Sequence, residues 1–197
     1  MTVYQKEFSV ETVANRDSYH DISEVVRQVI AASSIQTGIC VVTTPHTTCS
    51  VFFEEYTHDK DAEGDDFLNL DLSEQLERII PRHLAKESYH YPGPAHYQAV
   101  LAWENPEDWL PNGDKRALWN ADAHLKASLL GSSQTIAVTS SKWNVGKTGY
   151  LYLVDFDRTR ERKRHYHITV IGTRSAKYII SELKCLRQVC LKHFLDC

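Results

Sequence analysis

The feature that most constrains this chain is its alternation of short β-branched and aromatic runs with apolar residues at helical spacing. Tyr4, Phe8 and Val10 suit an opening strand within residues 3–13. Ile22, Val25, Val26, Val29 and Ile30 then recur at helical spacing, with Asp21 and Glu24 as a predicted cap and capping partner and the helix over by Gly38. Residues 39–44 and 49–53 predict two strands joined by a short loop. Leu68, Leu72, Leu76, Ile79 and Ile80 predict a second helix stopped by Pro81, and residues 58–66 an acidic loop before it. Residues 121–130 predict a helix capped by Asn120 and closed at Gly131, with Leu125, Leu129 and Ala121 facing the core. Residues 135–139, 149–156 and 165–171 predict the closing strands, and Ile179 to Phe194 an amphipathic terminal helix. The expectation is a single α+β domain, with mixed or antiparallel sheets, flanking helices and a C-terminal helix.

A chain of 197 residues can bury its own core without staples. No apolar run approaches the roughly 20 residues of a membrane span. The opening MTVYQKEF carries charge where a signal peptide places an apolar core, which predicts a cytoplasmic protein with no membrane partner. A net charge of −4 argues against nucleic acid. The five cysteines form no CxxC pair, so they are expected to be buried or surface thiols, not a disulfide framework. Residues 91–119, rich in Pro and aromatics, read as a long ordered excursion because Trp103, Trp109 and Trp119 are poor candidates for disorder.

The chemistry-bearing residues are scattered. His46 sits in Thr44-Pro45-His46-Thr47-Thr48, where one strand gives way to the next; a loop histidine bonding nearby backbone is the plain alternative. On the 121–130 helix, His124 and Ser128 share a polar stripe that is either solvated or lines a pocket, with Lys126 at the turn edge as a cation for an anionic ligand. His83, His90 and His96 fit no compact zinc knuckle. Ser141 to Thr148 is a near miss to a nucleotide-binding loop, but its first glycine is absent and a strand follows. Arg158, Arg160, Arg162 and Arg164 would share one side of an extended run, either as a solvated rim or as a patch matched to phosphate oxygens.

Taken together, His46-Thr47-Thr48, Glu55, Asp71, Pro81, the Tyr-His segment, Ala123-His124-Leu125-Lys126-Ala127-Ser128-Leu129-Leu130-Gly131, Gly146 and the segment from Asp155 to Arg164 resemble the YjbQ family, also called secondary thiamine-phosphate synthases. The resemblance covers residues 1–172, with an insertion at about 91–119; residues 173–197 form the helical extension. It implies an α+β fold, a homotrimer, and a site near a subunit boundary that takes a divalent metal and a small phosphorylated substrate. Carried over, it makes His46, His90 and His124 metal ligands, with His96 as the alternative to His90. The metal is expected to be zinc, given the imidazoles. Glu55 or Asp71 would act as base or orient a histidine, and Thr47, Thr48, Lys126, Arg160 and Arg162 would bind ligand. The family's Gly-Thr-Trp-Gln turn is replaced by Gly146-Lys147-Thr148-Gly149, so an indole and an amide give way to a cation. The implied activity joins a hydroxymethylpyrimidine diphosphate to a hydroxyethylthiazole phosphate. A metal-dependent phosphate-ester hydrolase or lyase, or a non-catalytic metabolite-binding protein, would use the same residues.

Overall fold

The computed structural model describes residues 1–174, so the expected terminal helix lies outside the described residues. Among the described residues, eight strands and four α-helices run in the order β1 (Thr2–Thr12), β2 (Ser18–Asp21), α1 (Ser23–Ser33), β3 (Ile35–Thr43), β4 (Cys49–Glu55), α2 (Phe67–Ile79), α3 (Pro94–Leu101), α4 (Ala121–Leu130), β5 (Ser133–Thr139), β6 (Lys142–Trp143), β7 (Gly149–Asp155) and β8 (Arg162–Arg174). Two antiparallel sheets result, one ordered β1-β8-β3-β5-β6 and the other β2-β7-β4. The α+β expectation holds, in a purely antiparallel form.

The small sheet is covered on both faces, which is why β7 reads as an unbroken apolar run. Leu151 and Leu153 face the main core, with Val26 and Ile30 of α1, Cys40 and Val42 of β3, and Ile168 and Val170 of β8. The alternate residues Tyr152 and Val154 point the other way, into a second core with Leu76 of α2 and Ala123 and Ala127 of α4. The first cysteine expectation is met at Cys40 and Cys49, both buried; burial pushes the Cys40 thiol up to about 12 and the Cys49 thiol higher still, so neither is a nucleophile at neutral pH.

Several local expectations change. The N-cap of α1 is Ile22, not Asp21, whose carboxylate still accepts from Ser23 N–H at 2.9 Å from one position earlier; Glu24 bonds Arg27 and Gln28 and closes no capping box. Helix α1 ends at Ser33, where Ser34 takes a left-handed conformation (φ 58°), and β3 begins at Ile35. Gly38 therefore lies inside a strand, opposite Gly172 of β8. A Cβ at Gly38 would stand 2.0 Å from the Ile171 carbonyl oxygen, so the two strands approach this closely because glycine occupies the position. The runs 39–44 and 49–53 do not pair with each other. β3 pairs with β8 and β5, whereas β4 pairs with β7, and the loop between them crosses from sheet to sheet.

Helix α4 has the expected ends and buries Ala121 as expected, but it turns Leu125 and Leu129 outward. Ala123 and Ala127 pack on the small sheet, close enough for Ser50 Oγ to donate to the Ala127 carbonyl at 3.2 Å, while Leu125 and Leu129 are exposed. Small side chains win this contact because they let the helix backbone reach the strands. Asn120 does not cap the helix with its side chain; its amide is engaged elsewhere. The excursion 91–119 is ordered as expected, around α3, with Tyr97, Val100, Leu110 and Leu118 forming a small core of their own.

Candidate functional site

The crossing between sheets builds the site. In that loop, Thr44 Oγ1 donates to the His165 carbonyl (3.0 Å), and His165 N–H donates to His46 Nε2 (2.8 Å). Both groups of one β8 residue thus anchor the loop, and the His46 ring is held from its Nε2 side. Thr48 Oγ1 donates to Asp155 Oδ1 (2.8 Å) and accepts from Arg164 Nη2 (3.1 Å), and Arg164 Nε donates to Asp155 Oδ2 (2.6 Å).

Asp157, two residues on, forms a second node. Its Oδ2 accepts from Asn120 Nδ2 (2.7 Å) and pairs with Arg162 (2.5 Å); its Oδ1 accepts from the Thr159 hydroxyl (2.6 Å). Burial alone would raise the Asp157 pKa, but Arg162 and these donors overcome it and hold the carboxyl below the usual range. Arg162 and Arg164 are thereby fixed side by side on one face of β8, each side chain 12% exposed.

Together these residues line a cavity of about 360 Å³. His46, Thr47 and Thr48 form one wall, His124 of α4 another, and Arg162 and Arg164 the cationic side. The excursion supplies the cover. Tyr91 Oη lies 3.1 Å from His96 Nε2, the Tyr91 ring meets His124 edge-on at 5.6 Å, and Trp103 packs against both His96 and Trp109. Burial lowers the pKa values of both His46 and His124; Arg164 adds to the effect at His46, while Asp157 and a hydrogen bond with the Thr47 backbone oppose it at His124.

The structure brings His46, Thr47, Thr48, His124 and Arg162 into this cavity, with the neighbouring imidazole supplied by His96. His90 is exposed and does not line it. Glu55 is exposed at the opposite end of β4, about 20 Å of strand from the loop, and Asp71 is exposed on α2. Lys126 is fully buried, its ammonium 3.6 Å from Asp122, and lines neither this cavity nor its neighbour. Arg160 packs over Trp109, 5.8 Å from the ring centre, and faces the neighbouring groove.

The expected metal set does not fit this arrangement. His46 Nε2 has its lone pair committed to His165 N–H, which leaves the proton of the neutral ring on Nδ1. Among the described residues, no three His, Cys, Asp or Glu side chains stand together as an ion would require.

Sequence reasoning missed Asp155 and Asp157 as parts of the site; it offered Arg164 as one of four arginines of a phosphate patch, and the excursion as either a cover for the cleft or an oligomer interface, without singling out Tyr91, Trp103 and Trp109. The spacing of two that puts Arg164 on the strand face of Arg162 was the signal for that residue.

Fold and site define a two-sheet α+β protein with an imidazole- and arginine-lined cleft. The family model described as "UPF0047 protein YjbQ-like" matches residues 6–173. The chain belongs to this family. A UPF0047 protein of Methanocaldococcus jannaschii is 25% identical over 173 residues, covering 87% of this chain and 99% of the relative. A second, from Methanothermobacter thermautotrophicus, is 28% identical over 83% of this chain and 90% of its own length. Among solved structures, a YbjQ-like protein of unknown function from Sulfolobus solfataricus superimposes with a TM-score of 0.62 at 23% identity, over 87% of this chain and 99% of its own. A YjbQ/UPF0047 protein from Clostridium acetobutylicum gives 0.58 at 26% identity, over 84% and 99%. No helix among the described residues is long and apolar enough to cross a membrane.

Proposed function

We propose that the cleft binds the phosphate or diphosphate group of a small metabolite and serves a transferase of the secondary thiamine-phosphate synthase type. The observation that carries this reading is the convergence of Arg162 and Arg164 with His46, His96 and His124 on one cavity. In such a transfer, the thiazole nitrogen bonds to the pyrimidine methylene carbon as the carbon–oxygen bond to the diphosphate breaks, and pyrophosphate leaves with the electron pair. The protein's task is to stabilise the charge that develops on the departing oxygens. Fixed guanidiniums do this without reorganising, an effect commonly worth about 3–4 kcal/mol per donor. Arg162 and Arg164 are held by Asp157 and Asp155, so their positions are set before any ligand arrives. His46 and His124, whose pKa values burial lowers, would take up protons as the anion enters.

The test is to mix the protein with hydroxymethylpyrimidine diphosphate and hydroxyethylthiazole phosphate and measure thiamine phosphate and pyrophosphate. Product formation, reduced at least 100-fold in His124→Ala, is expected. Pyrophosphate binding without turnover would instead favour a metabolite-binding protein, and release of phosphate from single phosphorylated metabolites a hydrolase.

The lowered histidine pKa values add a signed expectation. Groups depressed in the folded state contribute stability above the unfolded value of about 6.5 and lose it as pH falls. A bound anion opposes that depression, so pyrophosphate should bind more tightly at pH 6 than at pH 7.5, with net proton uptake. Calorimetry in two buffers of different ionisation enthalpy measures it, and proton release on binding would contradict the cleft's assignment.

The homotrimer implied by the resemblance belongs to the same proposal. Val3 and Ile39, 62% and 42% exposed, flank Ile171 in register on the outer face of the larger sheet, an apolar row suited to contact between subunits.

A further inference from the structure

A larger groove of about 730 Å³ adjoins the cleft, and Asn120 forms part of the wall of both. Four arginines line the groove, and they are not equivalent. Arg158 is held by Asp17 (2.6 and 2.7 Å) and by Glu77, and Arg116 is bidentate on Asp114. Arg160 and Arg82 have no carboxylate partner among the described residues. The Arg160 guanidinium, half-buried, donates to two carbonyl oxygens, those of Trp109 (3.3 Å) and Ala117 (3.4 Å). Neutral carbonyls only partly offset the loss of water around a cation. Burial, and then the nearby Arg162, accordingly bring the Arg160 pKa down to about 10.

The wall between these arginines combines apolar side chains, Trp119 and Phe156 among them, with buried polar ones. His83, buried, accepts from the Ala121 N–H that opens α4 and lies parallel to Trp119, with ring centres 5.6 Å apart. Asn120, 7% exposed, spends its amide on Asp157 and leaves its Oδ1 buried with no hydrogen-bond partner among the described residues. A groove with four arginines against the carboxylates of Asp114 and Asp122, and with buried polar groups in its wall, matches a phosphorylated ligand, because guanidinium forks fit phosphate oxygens.

We propose that this groove is a second anion site, separate from the imidazole cleft, which takes the phosphate or diphosphate group of an organic ligand on Arg82 and Arg160. The protein would then hold two phosphorylated groups at once, one on each side of Asn120. The inference stands on cations other than those of the cleft, so the two assignments fail separately.

Titration of the full chain with inorganic pyrophosphate by calorimetry decides it. Two equivalents are expected for the unsubstituted protein. Arg82→Glu, at an exposed position that leaves the core untouched, is expected to remove one equivalent and leave the other within about twofold in affinity. Arg160→Gln is expected to act in the same direction, and His124→Ala to remove the other equivalent. A single equivalent that Arg82→Glu and Arg160→Gln leave unchanged would overturn the proposal, as would a single equivalent lost in all three variants. An equivalent lost in Arg82→Glu but kept in His124→Ala would uphold the groove while removing the cleft's assignment.

Discussion

Asp155→Ala is expected to destabilise the protein by about 3–5 kcal/mol, the range found when one partner of a buried ion pair is removed. Asp155 is 1% exposed and its carboxylate accepts from Arg164, from the Thr48 hydroxyl and from Asp157 N–H. Its loss strands the Arg164 guanidinium, 12% exposed, without its counter-charge. It also frees the crossing loop at Thr48 and the turn at Asp157, so both nodes of the cleft loosen together. The double variant Asp155→Ala/Arg164→Met should recover part of the loss, because the buried cation goes with its partner. Urea unfolding of the two variants beside the unsubstituted protein measures this. A loss under about 1 kcal/mol for the single variant would mean that water replaces the carboxylate and that the pair behaves as a surface one.

Gly38→Ala should be of similar size for a different reason. A Cβ at this position meets the Ile171 carbonyl oxygen at 2.0 Å and the Gly172 Cα at 2.7 Å, and both are backbone atoms that no rotamer change can move. Retreat is blocked because β3 is paired on both sides, to β8 and to β5. Core overpacking commonly costs about 1–3 kcal/mol, and this contact should reach or exceed the top of that range. Gly146→Ala is the control, since nothing lies within 4 Å of its added Cβ, and a change within about 0.5 kcal/mol is expected. Equal melting temperatures for the two variants would show that the strands can separate at Gly38 without loss.

The structure also shows why parts of the chain could be read in advance and others could not. Helix α2 and the ends of α4 follow from apolar spacing, Pro81 and Gly131, which are local signals. The face that α4 buries is not local. Leucine periodicity pointed one way, but contact with β4 favours Ala123 and Ala127, and that preference exists once the sheet is in place. Gly38 likewise looked like punctuation after a helix, because nothing in its neighbours announces that Gly172 will lie against it. In the site, His46 and His124 were legible from their motifs, whereas the choice between His90 and His96 depended on how the excursion folds back over the cleft.

The sequence by itself determined the α+β class, most element boundaries and the supply of imidazoles and arginines, since these follow from periodicity, turn residues and composition. Tertiary structure decided which of those groups meet. Ion pairing and burial act through space: Asp155 ends β7 of the small sheet and Arg164 lies on β8 of the larger one, so Asp155 meets Arg164, and Asp157 meets Arg162, because the turn that passes between the sheets folds back on itself. The packing of strands and helices likewise leaves Glu55 and Asp71 exposed and sets Arg160 beside a groove.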